Sequence, residues 1–396
     1  MFVSESTRVV CQRTPDAGPV RSLSRHAGGR WVLGTRRRPV AQLMGRRAVV
    51  VTIAVCSAAL AAAVGITLDE GSAASGYRLH RLRFRGDMYG YAVYVPPGRR
   101  SRPRMPLVVV LHGCTMTAEE QAAASGYDQI AAARGFVVLY ADVDAVDGEN
   151  GGCWKGIWDP GAEGRGRGDA GAIAGMTEAV IARWRIDPSR VYAIGISAGA
   201  FETAMLGAAY PDVYAAIGIH SGGGYLAAEH GCPAHEPASS IAASARAALA
   251  AMGSRAGVMP VILFHGDRDG TIPYRCGQQA LAQWLATDDL VLRHERRGPL
   301  LTTPTETSHP RIANEHACTV LSYAETAGCP VAQFWSVHGM GHYWSGGSAD
   351  PASARYSDPL GPNASAASWA FLSHWQRSGR AAVCARQRAA GNSKGR

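Results

Sequence analysis

The chain lacks several features that would narrow its function at once. Its 396 residues contain no internal repeat, which excludes a solenoid or a propeller. Nine cysteines are present, yet none forms a Cys-x-x-Cys pair or stands at zinc-ligand spacing from a histidine, so no metal is expected, and the chemistry read below needs no cofactor. Basic charge is missing where a nucleic-acid binder would need it. The formal +9 is concentrated at the two ends, local +8 over residues 1–47 and +6 over 376–396, and the stretch between them is −5. A mildly acidic middle carries no electrostatic footprint for nucleic acid. Finally, the 21 residues from Ala48 to Leu68 contain no charged side chain at all.

That last absence sets the organisation. Residues 1–47 are Arg-, Gly- and Ser-rich without apolar periodicity and read as a basic disordered leader. Residues 48–68 are long enough to span a bilayer and equally suit a secretory signal, with Arg46-Arg47 ahead and Ala61-Ala62-Ala63 as a cleavage site. Met44 is an alternative start that would give a signal of ordinary proportions. The expectation is an exported, extracellular or cell-envelope protein, touching a membrane only through this segment if it stays uncleaved as an anchor. Residues 77–377 form the candidate catalytic domain, and 378–396 read as a basic disordered tail.

Within 77–377 the pattern alternates. Tyr77–Arg85 and Met88–Val95 flank Gly86-Asp87 as a hairpin. Apolar runs at 107–111, 136–140, 191–196, 215–220, 261–264 and 331–337 read as buried strands. Helical stretches fall at 118–134, 169–185, 276–286 and 363–377, with an Ala-rich helix inside the 222–257 insertion. Such alternation predicts an α/β fold with a mostly parallel central sheet covered by helices on both faces.

One stretch carries chemistry. Strand 191–196 runs into Gly195-Ile196-Ser197-Ala198-Gly199 and then a helix, the strand-turn-helix context of a G-x-S-x-G nucleophile elbow. A hydroxyl needs a base to take its proton, and the base needs an anion to orient it. Asp269, in HGDRDGTIP, and His342, in HGMGHYWSGG, follow Ser197 in the order serine, acid, histidine, each beyond the carboxyl end of a strand. Asp267 is the rival acid, set aside because it directly follows Gly266 and suits the turn. The oxyanion hole is assigned to the N–H groups of Ala198 and Cys114. Trp154, Trp158 and Trp344 are expected to wall a substrate cleft.

Six segments together resemble the esterase family that contains polyhydroxybutyrate (PHB) depolymerases and related feruloyl and acetyl xylan esterases. They begin LHGCTMTAEEQ at Leu111, GGCWKGIW at Gly151, IDPSRVYAIGISAGA at Ile186, YPDVYAAIGIHSG at Tyr210, FHGDRDGTIP at Phe264 and HGMGHYWSGG at His338. The resemblance implies an α/β-hydrolase fold with Ser197, Asp269 and His342 as its triad. The sequence departs from the polymer-degrading members in having no Thr-rich linker and second domain.

The expectation is therefore an exported serine esterase acting through an acyl-enzyme on a small, oligomeric or polymeric ester. The alternatives are an acyltransferase of the mycolyl-transfer type and a non-catalytic binding protein on a hydrolase scaffold. In an exported chain the cysteines would pair as Cys114–Cys153, Cys232–Cys276 and Cys318–Cys329, leaving Cys384 free.

Overall fold

Met105–Leu111 is buried at every position, which only a strand covered on both faces achieves. Among the described residues it is one of eleven strands in a single sheet. In chain order these are β1 (Gly71–Ser72), β2 (Arg78–Phe84), β3 (Asp87–Tyr94), β4 (Met105–Leu111), β5 (Val137–Asp142), β6 (Ile186–Ile196), β7 (Ala216–His220), β8 (Val261–Gly266), β9 (Glu306–Ser308), β10 (Cys318–Ala324) and β11 (Pro330–Val337). The computed structural model describes residues 71–72, 78–97, 104–143, 151–232, 238–294, 303–311, 314–324, 330–378 and 381–384. The leader 1–47 and the apolar segment 48–68 lie outside these. Among the described residues no helix is long and apolar enough to cross a membrane.

The spatial order is β1-β2-β3-β5-β4-β6-β7-β8-β11-β10-β9. The six strands from β5 to β11 pair in parallel, and the remaining strands flank them in antiparallel fashion. From β4 the chain turns outward to β5 and later returns to β6 on β4's other side. This is the topological switch point, where open α/β sheets leave a crevice beyond the strand ends.

The helices are α1 (Ala118–Ser125), α2 (Tyr127–Arg134), α3 (Lys155–Trp158), α4 (Gly168–Arg183), α5 (Ala198–Ala209), α6 (Ala227–His230), α7 (Ala238–Met252), α8 (Tyr274–His294) and α9 (Ala364–Leu372). All twelve residues of α5 are buried, so its Ala- and Gly-rich composition reflects close packing on the sheet. The stretch expected as one helix over 118–134 is two, because Gly126 adopts a left-handed conformation that ends α1. α8 runs well past the expected Ala286.

The carboxyl-terminal region departs furthest from expectation. The last helix stops at Leu372, and Trp375–Ser378 (β12) pairs antiparallel with Ala381–Cys384 (β13). The fold thus continues into the stretch read as a disordered tail. Cys384 is buried and disulfide-bonded rather than free. Cys318 is a free, buried thiol, so the expected Cys318–Cys329 bridge is absent, and Cys329 itself lies outside the described residues. Cys114–Cys153 and Cys232–Cys276 are bonded, with Cα–Cα distances of 4.3 and 5.2 Å.

Candidate active site

Ser197 sits between β6 and α5 with φ 56° and ψ −123°, a backbone region disfavoured for any residue with a Cβ. The turn is tight enough to require its glycines. A Cβ on Gly195 would lie 2.2 Å from the Gly199 carbonyl oxygen, and one on Gly199 would lie 2.5 Å from the carbonyl oxygens of Leu111 and His112. The Ser197 N–H donates to the His220 carbonyl at 3.0 Å, extending the β6–β7 ladder by one residue.

The loop after β4 lies against this elbow, since a Cβ on Gly113 would come within 3.3 Å of the Ser197 Cβ. Three links tie that loop to the 151–154 segment. They are the Cys114–Cys153 disulfide, the Thr115 N–H donating to the Gly151 carbonyl at 3.2 Å, and the Trp154 indole N–H donating to the His112 carbonyl at 2.9 Å. Among the described residues, the N–H groups of Cys114 and Ala198 have no protein acceptor. Both are free to serve a developing negative charge.

On the other side, His342 Nδ1 donates to Asp269 Oδ2 at 2.7 Å. The bond fixes the tautomer and leaves Nε2 as the basic nitrogen. Asp269 Oδ1 accepts from the N–H groups of Thr271 and Ile272 at 2.9 and 2.8 Å. Burial alone would raise this carboxyl, but the hydrogen bonds and charges of His265 and His342 hold it well below the usual carboxylate range. Asp267 is engaged elsewhere. It accepts from His338 Nδ1 at 3.0 Å and from the Gly339 N–H at 2.7 Å, and His338 Nε2 turns to the Thr319 hydroxyl at 2.9 Å. Among the described residues no hydrogen bond joins the Ser197 hydroxyl to His342 Nε2. Such contacts commonly tighten only around substrate.

The expected tryptophan wall is corrected. Trp154 and Trp344 are fully buried and so cannot meet a substrate. Trp154 props the loop after β4, and Trp344 stacks on His220 with ring centroids 5.0 Å apart while donating to the Ser365 hydroxyl. Only Trp158, 43% exposed, keeps a face for ligand, joined by Tyr343 beside His342 at 37%. Sequence reading also missed His265, whose Nε2 lies 3.4 Å from Asp269 Oδ2, and His220, whose Nε2 accepts the N–H of Ser345 beyond His342. Their signal was a histidine at each of two buried strand ends, β7 and β8.

One group of side chains could geometrically hold a cation. Glu163, Asp169 and Glu202 are buried with ligand oxygens within 4.8 Å of one another. However, Glu163 accepts from the N–H groups of Asp169 and Ala170, and Asp169 accepts from Tyr89, Lys155 Nζ and the Lys155 N–H. Glu202 Oε2 accepts from the Gly156 N–H, and Glu202 Oε1 alone has no partner. Oxygens so occupied fit a shared proton better than a cation. Burial, reinforced by the neighbouring charges, pushes Glu163 up to about 7 and Glu202 well above its usual range.

The pattern of the family described as Esterase PHB depolymerase matches residues 89–298, more than half the chain. This protein belongs to that family. Within the PHB depolymerase family, its relatives include poly(3-hydroxyalkanoate) depolymerase C of Paucimonas lemoignei, 41% identical over 135 residues, 34% of this chain and 31% of that protein. Feruloyl esterase B of Thermothelomyces thermophilus is 30% identical over 206 residues, 48% of this chain and 68% of that protein. A probable acetylxylan esterase A of Neosartorya fischeri is 34% identical over 33% of this chain and 34% of that protein. The matched stretch thus spans only about a third of the length of two of these three relatives. Among solved structures, the acetyl xylan esterase from Aspergillus awamori superposes with a TM-score of 0.52 at 24% identity, over 67% of this chain and 93% of that one. At that identity the likeness carries the α/β-hydrolase fold alone.

Proposed function

We propose that this PHB depolymerase family member is an exported serine esterase that hydrolyses carboxylic esters through an acyl-enzyme on Ser197. The observation that carries the reading is the 2.7 Å His342–Asp269 hydrogen bond, in a segment tied through His220 to the strained Ser197 turn. In the first step His342 Nε2 takes the Ser197 hydroxyl proton as Oγ bonds to the ester carbonyl carbon. The oxyanion that forms accepts from the N–H groups of Cys114 and Ala198, each contributing about 3 kcal/mol to lowering the barrier. Collapse breaks the bond to the alcohol, which leaves with the proton from His342. Water then gives a proton to His342 and attacks the acyl carbon, and Ser197 recovers its proton as the acid departs. Asp269 orients His342 and stabilises its charged form throughout.

Export is supported by the Cys114–Cys153 and Cys232–Cys276 disulfides, which persist in oxidising compartments. The relatives named above act, by their names, on a polyhydroxyalkanoate, acetylated xylan and feruloyl esters. What these share is a short or planar acyl group, and the exposed faces of Trp158 and Tyr343 suit such a group. The test is a panel of p-nitrophenyl acetate and butyrate, methyl ferulate, acetylated xylan and PHB, run with the wild type and with Ser197→Ala. Hydrolysis of at least one ester, abolished in the folded variant, is expected. Equal turnover by the variant, or none of these esters cleaved by folded wild type, would overturn the proposal. A sugar acceptor added to the same assay separates hydrolysis from acyl transfer.

A further inference from the structure

His220 ends β7 and is wholly buried, and it is bonded to both halves of the site. Its carbonyl accepts the N–H of Ser197 at 3.0 Å. Its ring Nε2 accepts the N–H of Ser345 at 3.1 Å, three residues beyond His342. Nε2 can accept only if it carries no proton, so the ring is the Nδ1–H tautomer, with Nδ1 donating to the Ser221 hydroxyl at 3.2 Å. The ring is stacked between Phe264 and Trp344, at 5.5 and 5.0 Å.

We infer that His220 is a positioning residue that sets the distance between Ser197 and His342, by clamping the His342–Ser345 segment to the strand that also carries the Ser197 N–H bond. The inference rests on the triad reading given above. A stack alone would hold the plane of Trp344 but leave the segment free to slide. The Ser345 N–H bond fixes its height against the sheet.

The clamp works only while the ring is neutral, and its surroundings keep it so. Burial, with the nearby His265 and His342, lowers His220 to about 3, and Asp269 only partly opposes this. Ser221, Phe264, Trp344 and Ser345, which contact the ring, carry no charge. The acceptor therefore persists across the pH range in which a histidine base operates.

Three variants separate clamping from packing. H220Q carries an amide oxygen that reaches the Nε2 position. H220N carries the same amide one methylene short, and H220F keeps the stacked ring without an acceptor. If the N–H bond is what matters, H220N and H220F lose about 100-fold in kcat, with KM changed by less than about threefold, as for loss of transition-state geometry alone. H220Q stays within about tenfold of wild type. Saturation labelling of Ser197 with a fluorophosphonate should remain complete in every folded variant, while its rate follows kcat. If H220F fails to fold, the N/Q pair still decides. H220N equal to H220Q, or H220F equal to wild type, would sink the inference while leaving the triad standing. Failure of wild type to be labelled would instead sink the triad reading itself.

Discussion

The two halves of the candidate site are held by different chemistry. The oxyanion half, residues 112–116 and 151–154, is fixed by a disulfide, a backbone hydrogen bond and an indole N–H on a carbonyl. None of these three links titrates, although the same loop also holds buried His112, whose Nδ1 bonds the Gly113 carbonyl at 2.7 Å and whose Nε2 lies 3.5 Å from Asp142 Oδ1. The acid–base half, residues 265–272 and 338–345, is fixed by imidazoles and carboxylates, with Asp269 receiving His342 and lying beside His265, and His220 receiving the Ser345 N–H. The difference suits what each half must do. Donors to an oxyanion should not move at all, whereas a base must gain and lose a proton twice per turnover. One half is accordingly exposed to reductants and the other to acid.

The largest expected effect breaks the acid–base half. Asp269→Asn should cost about 10⁴-fold in kcat, since the amide presents a donor to Nδ1 and favours the wrong tautomer. Asp267→Asn, whose partner His338 faces Thr319, should cost less than about tenfold. Steady-state kinetics on one p-nitrophenyl ester decide between them. If Asp267→Asn were the more damaging change, the acid would have been misassigned. Lower pH attacks the same half. The Asp269 carboxyl lies below its unfolded value of about 3.9, so its stabilising contribution is complete above that pH. That contribution is lost as pH falls through the folded value.

The oxyanion half should break under reduction. Removing the bridge by Cys114→Ser with Cys153→Ser should lower kcat about tenfold by loosening the Cys114 donor. It should also cost about 4 kcal/mol of stability in the chain-entropy model for a separation of 39 residues. Thermal melts and kcat measured together test both. Lost stability with kcat intact would mean that the bridge braces the fold and not the donor.

The smallest effect sharpens the comparison. Glu163 and Glu202 join the segment after the oxyanion half to α5, and they do titrate. Both carboxyls are raised on folding, so the unfolded chain releases protons that the folded one keeps. Stability should therefore fall as pH climbs from about 4.5 through the folded values. Glu202→Gln supplies a permanent donor to Glu163 while still accepting the Gly156 N–H. Its Tm should lie within about 2 °C of wild type at pH 6 and decline less by pH 9. A wild-type Tm flat over that range would remove the shared proton.

The sequence made the parallel strands legible, because β4 to β8 and β11 are apolar runs bounded by turn residues. It left β9 and β10 hidden, since 288–317 reads as a polar excursion and the faces of β10 alternate. The end of α9 was missed for a related reason. Trp369, Phe371, Leu372 and Trp375 look like one apolar face, but Trp375 begins a strand whose partner lies beyond residue 378. The site residues were readable wherever function imposes a motif, as with the glycines around Ser197. Trp154 and Trp344 misled because a large aromatic beside a catalytic motif reads the same whether it faces the ligand or supports the backbone from behind. Only burial separates the two. His220 was invisible for the same reason, being a histidine at the end of an apolar strand.

The backbone of Ser197 carries one more consequence, for how such a chain would age. Holding a residue with a Cβ at φ 56°, ψ −123° costs on the order of 1–3 kcal/mol, which glycine largely avoids. The fold is therefore more stable without its candidate nucleophile than with it. A copy released from the need to cleave esters would drift toward glycine at position 197 with every advantage of stability. A retained serine there is an inherited cost, and only continued use of its hydroxyl would keep it in place.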